Sequence, residues 1–130
     1  MVGIIVVSHG MYACEAVKSA AMLVGHGDQL ACEGVHGDDT PELFYERVRK
    51  IAEQVDDGNG VVALVDLYGG TPNNTVFQLK REKNVRIVTG FNLPMLIYAI
   101  TERTPATTQA ELVESLLQIG ASEIKEFGKS

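Results

Sequence analysis

Hydrophobic and polar positions along the chain follow two alternating rhythms: short unbroken apolar runs, and longer stretches in which apolar residues return every three or four positions. The first run, Val2-Gly3-Ile4-Ile5-Val6-Val7, is continuous and stops at Ser8-His9-Gly10, which predicts a strand buried on both faces. Ala13, Ala16, Val17, Ala20, Ala21 and Val24 then recur at helical spacing, and Gly25-His26-Gly27-Asp28 closes that segment. Residues 29–35 supply a short second strand. Thr40-Pro41-Glu42 joins a capping hydroxyl to a proline at the first helical position, and Phe44, Val48, Ile51 and Val55 form the apolar stripe of the helix that follows.

Asp56-Asp57-Gly58-Asn59-Gly60 breaks that helix, and a second continuous run, Val61-Val62-Ala63-Leu64-Val65, ends in Asp66. Leu67-Tyr68-Gly69-Gly70-Thr71-Pro72 comes next, and its Thr-Pro pair repeats the helix-start chemistry for a helix to about residue 80. A fourth strand is expected at 85–89 and a helix at 93–103, with Pro94 near its first turn. Thr108-Gln109-Ala110-Glu111 is a capping box ahead of a helix bearing Leu112, Leu116 and Ile119, and residues 123–127 read as a terminal strand. Strands alternating with helices predict a parallel sheet with right-handed crossovers, an open α/β sandwich.

A chain of 130 residues with 45% hydrophobic content fits one domain over 1–130 with its own core. It contains no internal repeat and no low-complexity linker. The formal charge of −6 argues against nucleic acid, whose binding draws on Lys and Arg, and suits a basic partner protein better. No apolar stretch approaches the roughly 20 residues that span a bilayer, and the first run lacks the length and positive flank of a signal peptide, so a cytoplasmic protein with no direct membrane insertion is expected. Cys14 and Cys32 follow no Cys-x-x-Cys spacing and read as small, semi-buried thiols in a reducing compartment, with no disulfide between them. Together with His26 and His36 they lack the spacing of zinc ligands, so neither metal nor cofactor is expected.

The candidate chemistry lies where the two apolar runs stop. In an open parallel sheet ligands bind at the carboxyl ends of the strands, so if the first and third strands are neighbours, His9, Asp66 and the Gly69-Gly70 turn converge in one mouth. A neutral imidazole is a good nucleophile, and a carboxylate on one ring nitrogen fixes the tautomer and frees the lone pair of the other. Glycines beside the nucleophile, Gly10, and in the turn, Gly69 and Gly70, let backbone N–H groups face a phosphoryl group, with the positive end of a helix and the Thr71 hydroxyl completing its cradle. Each piece alone has an ordinary structural explanation. Their coincidence at two strand ends points to a phosphohistidine site.

Three segments, Val7-Ser8-His9-Gly10, Val65-Asp66-Leu67-Tyr68-Gly69-Gly70-Thr71-Pro72-Asn73-Asn74 and Gly90-Phe91-Asn92-Leu93-Pro94-Met95-Leu96, resemble the signatures of the IIA component of the mannose family of the bacterial sugar phosphotransferase system. The resemblance implies a four-stranded parallel core with helices on both faces. It further implies a carboxyl-terminal strand, matched by residues 123–127, that is exchanged between two subunits of a homodimer and lies antiparallel in the partner's sheet. His9 then matches the histidine that accepts a phosphoryl group from the phosphocarrier HPr and passes it to a histidine of the IIB component, and Asp66 matches the carboxylate that orients it. The sugar is handled by the membrane components IIC and IID, so its identity is not written in this chain.

Departures from the family pattern are small. Thr71 stands where serine is frequent, Tyr68 where tryptophan is frequent, and Leu67 where some members carry threonine, which removes one hydroxyl donor to phosphate. Alternatives to the carrier are the phosphoryl-donor domain of dihydroxyacetone kinase, a regulatory module controlled by phosphorylation of His9, and a hydrolase that releases the phosphoryl group to water. The Gly-Gly-Thr-Pro and Asn-Leu-Pro-Met segments favour the mannose family over the first. The third lacks the arginine of the Arg-His-Gly motif that histidine phosphatases use.

Overall fold

In the computed structural model, which describes residues 1–129, the strand rhythm becomes β1 (Gly3–His9), β2 (Leu30–Val35), β3 (Val61–Val65) and β4 (Val85–Thr89). The helical rhythm becomes α1 (Tyr12–Val24), α2 (Pro41–Val55), α3 (Gly70–Leu79), α4 (Leu93–Glu102) and α5 (Gln109–Ser122). Among the described residues the strands form one parallel sheet of four, in the order β2-β1-β3-β4. The chain therefore winds outward in opposite directions from β1 and β3, and the connections leaving their carboxyl ends diverge. That is the switch point at which open α/β sheets bind ligands.

Alternation along the central strands divides the core in two. Ile4 and Val6 of β1 join Val62 and Leu64 of β3 under α1, α4 and α5, packed against residues such as Val17, Leu96 and Leu116. Ile5 and Val7 join Val61, Ala63 and Val65 under α2 and α3, packed against Phe44, Val48, Val76 and Leu79. Because both faces are covered, β3 is buried at every position, as its unbroken apolar sequence predicts. Gly3 is required where β1 begins, since a Cβ there would lie 2.4 Å from the Val55 carbonyl oxygen.

Helix starts follow the sequence closely. The Thr40 side chain accepts from the Leu43 N–H with Pro41 at the first helical position, Asn92 accepts from the Met95 N–H ahead of Pro94, and the Thr108–Glu111 capping box is complete. α3 departs from expectation: it begins at Gly70 with Gly69 as its N-cap, so Thr71 lies inside the first turn and does not cap it. Two consecutive left-handed glycines, Gly69 at φ 87° and Gly70 at φ 78°, reverse the chain so sharply after β3 that the helix starts earlier than Thr71-Pro72 signals.

The expectation of free thiols is overturned. Cys14 of α1 and Cys32 of β2 form a disulfide, with Cα atoms 5.4 Å apart. Its cause is tertiary, because the β1-α1-β2 unit packs α1 onto the strand next to β1, where Cys32 stands in register with Val6. Residues 123–127, expected as a strand that pairs with a second subunit, form no ladder within the single chain, and Ile124 and Phe127 stand in solvent there. No helix among the described residues is long and apolar enough to cross a membrane.

Candidate functional site

His9 is the last residue of β1, and Asp66 follows the last residue of β3. Val7 stands opposite Val65 in the ladder, so the strand pairing itself carries both groups into one mouth. A single carboxylate oxygen, Asp66 Oδ2, accepts from the His9 backbone N–H at 2.9 Å and contacts His9 Nδ1 at 2.8 Å. The other oxygen accepts from the Leu67 N–H at 2.9 Å. An ionised carboxylate only accepts, so Nδ1 carries the hydrogen and the lone pair of the neutral ring sits on Nε2.

Burial separates the two roles. The Asp66 side chain is 8% exposed and rigidly held, whereas the His9 side chain is 51% exposed. Nε2 faces the start of α3, where a Cβ added at Gly70 would lie 3.7 Å from Nε2 and 3.4 Å from Cε1. Gly70 is demanded by its left-handed φ, while the ring would meet a Cβ there only at ordinary contact distance. No side chain among the described residues caps α3, so its first-turn N–H groups remain available to an anion, with the exposed Thr71 beside them.

Gly10 has a different part from the expected one. Its N–H donates to the Val35 carbonyl at 2.7 Å, so it does not face a phosphoryl group; its left-handed φ of 54° turns the chain from β1 towards α1. Gly69, Gly70 and Thr71 remain as candidates for the cradle. Around the mouth stand exposed apolar side chains, Met11, Tyr12, Leu67 and Tyr68, the last 92% exposed, and Tyr12 stacks on Phe91 with ring centroids 5.1 Å apart. The site is an open rim that a protein surface can reach. The His26 ring contacts the Gly27 carbonyl, and His36, one residue beyond the Val35 that pairs with His9, donates its N–H to Asp39.

Sequence reasoning passed over two residues behind His9. Ser8 Oγ accepts from the Ala13 N–H at 2.7 Å and donates to the His9 carbonyl at 3.0 Å. Gly34 of β2 lies so close to Gly10 that a Cβ would fall 1.7 Å from the Gly10 carbonyl oxygen. A polar residue closing an apolar run was the available signal for Ser8, whereas nothing local marked Gly34.

The chain is similar to known proteins. The family model EIIA-man, described as the PTS system fructose IIA component, matches residues 3–117. The mannose-specific EIIAB component of Escherichia coli is 26% identical over 125 residues, which is 95% of this chain and 39% of that protein. The chain therefore spans about two-fifths of the length of that relative. Among solved structures, the mannose/sorbose specific IIA subunit of Enterococcus faecalis superposes with a TM-score of 0.87 at 30% identity, covering 99% of this chain and 96% of that one. The EIIA component of Streptococcus agalactiae superposes with a TM-score of 0.88 at 25% identity, over 98% of each chain. On the family match over most of its length, the shared fold and three signature segments at the strand ends, the chain belongs to the EIIA-man family of phosphotransferase-system IIA components.

Proposed function

We propose that the protein is a cytoplasmic phosphoryl carrier in sugar uptake: His9 accepts a phosphoryl group from phospho-HPr and hands it to a histidine of the cognate IIB component. The observation that carries this reading is the 2.8 Å contact between His9 Nδ1 and Asp66 Oδ2, which leaves Nε2 as the nucleophile against the Gly69-Gly70 turn. In the first transfer Nε2 attacks phosphorus, the bond between phosphorus and the donor histidine nitrogen breaks, and that nitrogen keeps the electron pair. The proton on Nδ1 stays in its hydrogen bond to Asp66, which stabilises the charge that develops on the ring. First-turn N–H groups of α3 and the Thr71 hydroxyl meet the phosphoryl oxygens, and the second transfer reverses these roles towards IIB.

Exposure of the ring and the apolar rim suit a partner that brings its own histidine, since a deep pocket would exclude it. The sugar is left to the membrane components IIC and IID, which this chain meets only through IIB. As part of the same proposal the working form is a homodimer in which residues 123–127 of each subunit extend the other's sheet. Support for it comes from the outer side of β4, where a groove of about 540 Å³ is lined by Tyr68, Phe77 and Ile87 among others, and from the exposed Ile124 and Phe127.

The test is phosphorylation with phosphoenolpyruvate, enzyme I and HPr, followed by mass and by acid lability of the product. Wild type is expected to gain one acid-labile phosphoryl group and pass it to IIB. His9→Ala is expected to gain none while keeping its fold, and label on that variant would end the assignment.

A further inference from the structure

We infer that Ser8 is a positioning residue for the nucleophile: its hydroxyl holds the peptide on the carboxyl side of His9 and so sets the direction in which Nε2 points. The inference rests on the proposed carrier reading and adds a residue to its site. Ser8 is 0% exposed and interrupts the apolar run of β1 at its last buried position. Its side chain lies on the face of the sheet that carries α1, and its one hydroxyl uses both capacities, accepting from Ala13 N–H and donating to His9 O. It thus clamps the two ends of the turn that begins at the nucleophile and enters α1. Met11, the N-cap of α1, makes no side-chain cap, so Ser8 satisfies from upstream an amide that the helix start leaves open.

Three contacts fix the nucleophile's backbone, and each acts at a different point. Asp66 holds the His9 N–H and Nδ1, Ser8 holds the His9 carbonyl, and β2 holds Gly10 through the Val35 carbonyl and the close approach of Gly34. The ring is half in solvent, so packing does little to aim it. Its direction follows from the peptide planes on either side of its Cα. If the Ser8 hydroxyl is removed, the carbonyl-side plane loses its only side-chain anchor among the described residues, and the ring swings so that its contact with Asp66 is kept for only part of the time.

A purely structural Ser8 would lower stability and nothing else, so the test separates aiming from folding. Ser8→Ala is compared with Val113→Ala, a buried deletion on α5 that destabilises the same core. In Ser8→Ala the KM for phospho-HPr is expected to stay within twofold while kcat falls by about a hundredfold, the cost of misplacing a reacting group by roughly 1 Å. Phosphoramidate, a small phosphoryl donor with no protein surface, is expected to label the variant more slowly by the same factor. Independently of any donor, the ¹⁵N shifts of the unphosphorylated His9 ring are expected to move from a single Nδ1–H tautomer towards the averaged values of a mobile imidazole. Val113→Ala is expected to keep the wild-type kcat and ring shifts. Unchanged kcat and ring shifts in Ser8→Ala, or equal losses in both variants, would overturn the inference. If Ser8→Ala does not fold, Ser8→Cys, which keeps the volume with a weak donor, is expected to show the same loss of kcat and the same movement of the ring shifts, and wild-type values there would overturn the inference equally. Failure of wild type to take label would instead sink the carrier reading, and the ring shifts would still decide the role of Ser8.

Discussion

The two ends of the sheet are built in opposite ways. At the amino end, long side chains reach into the gaps between elements and close them. Arg103, 6% exposed, donates to the carbonyls of Val2, Asp28, Gln29 and Ala99. Gln29 donates to the carbonyls of Met1 and Val55, and Gln109 to those of Val61 and Asn84. At the carboxyl end short residues and glycines leave the helix start at Gly70 and the imidazole of His9 open to solvent. One end satisfies its backbone internally; the other keeps polar groups free for a visitor. The difference teaches that stability and chemistry are carried by different ends of the same strands, so they can be broken separately.

The largest separation is expected for His9→Ala, which loses phosphoryl uptake altogether in the enzyme I and HPr assay yet unfolds within about 1 kcal/mol of wild type, because the lost ring is half exposed. Arg103→Met is the mirror image. Burial pulls this guanidinium below its ordinary value, opposed by the charge of Asp28, and removing it takes a donor from the carbonyls of Val2, Asp28 and Ala99, while the Gln29 carbonyl keeps the Ile4 N–H, at a cost of about 4 kcal/mol in denaturant unfolding. Its kcat is expected to be unchanged at temperatures where it is folded. A large loss of kcat in the folded variant would break the comparison.

Reduction of the Cys14–Cys32 disulfide, which closes a separation of 18 residues, is expected to lower unfolding stability by about 3 kcal/mol, seen as a shift between reducing and non-reducing denaturation curves. Asp66→Asn is expected to slow phosphorylation about a hundredfold with His9 still modifiable, because an amide no longer enforces the Nδ1–H tautomer. Unchanged rates would remove its orienting role. The smallest effect is at the exposed rim of the carboxyl end. The Arg47 guanidinium hydrogen-bonded to Asp39, with the His36 N–H, holds that carboxyl well below the usual carboxylate range. A folded value below the unfolded 3.8 means that the contribution is fully present above about pH 5 and is lost as pH falls through the folded value. Asp39→Asn should therefore flatten the loss of stability on acidification between about pH 5 and 2, read from thermal midpoints across that range.

Much of this was written locally. The unbroken apolar runs of β1 and β3 determined two strands covered on both faces, because only residues without polar atoms tolerate that burial. Thr40-Pro41, Asn92 to Pro94 and Thr108 to Glu111 determined helix starts, because a cap is a contact between residues three apart and needs nothing from the rest of the fold. His9 and Asp66 were legible as strand-end groups for the same reason. The tertiary structure alone decided what depends on neighbours distant in sequence: that one oxygen of Asp66 holds both the backbone N–H and Nδ1 of His9, that Gly10 turns the chain with its N–H already donated to Val35, that Cys14 meets Cys32, and that Ser8 and Gly34 pack the turn behind His9. Each of those facts is set by the register between strands and the packing of α1 onto β2. Residue pattern specifies which positions are buried, whereas register specifies which buried positions touch.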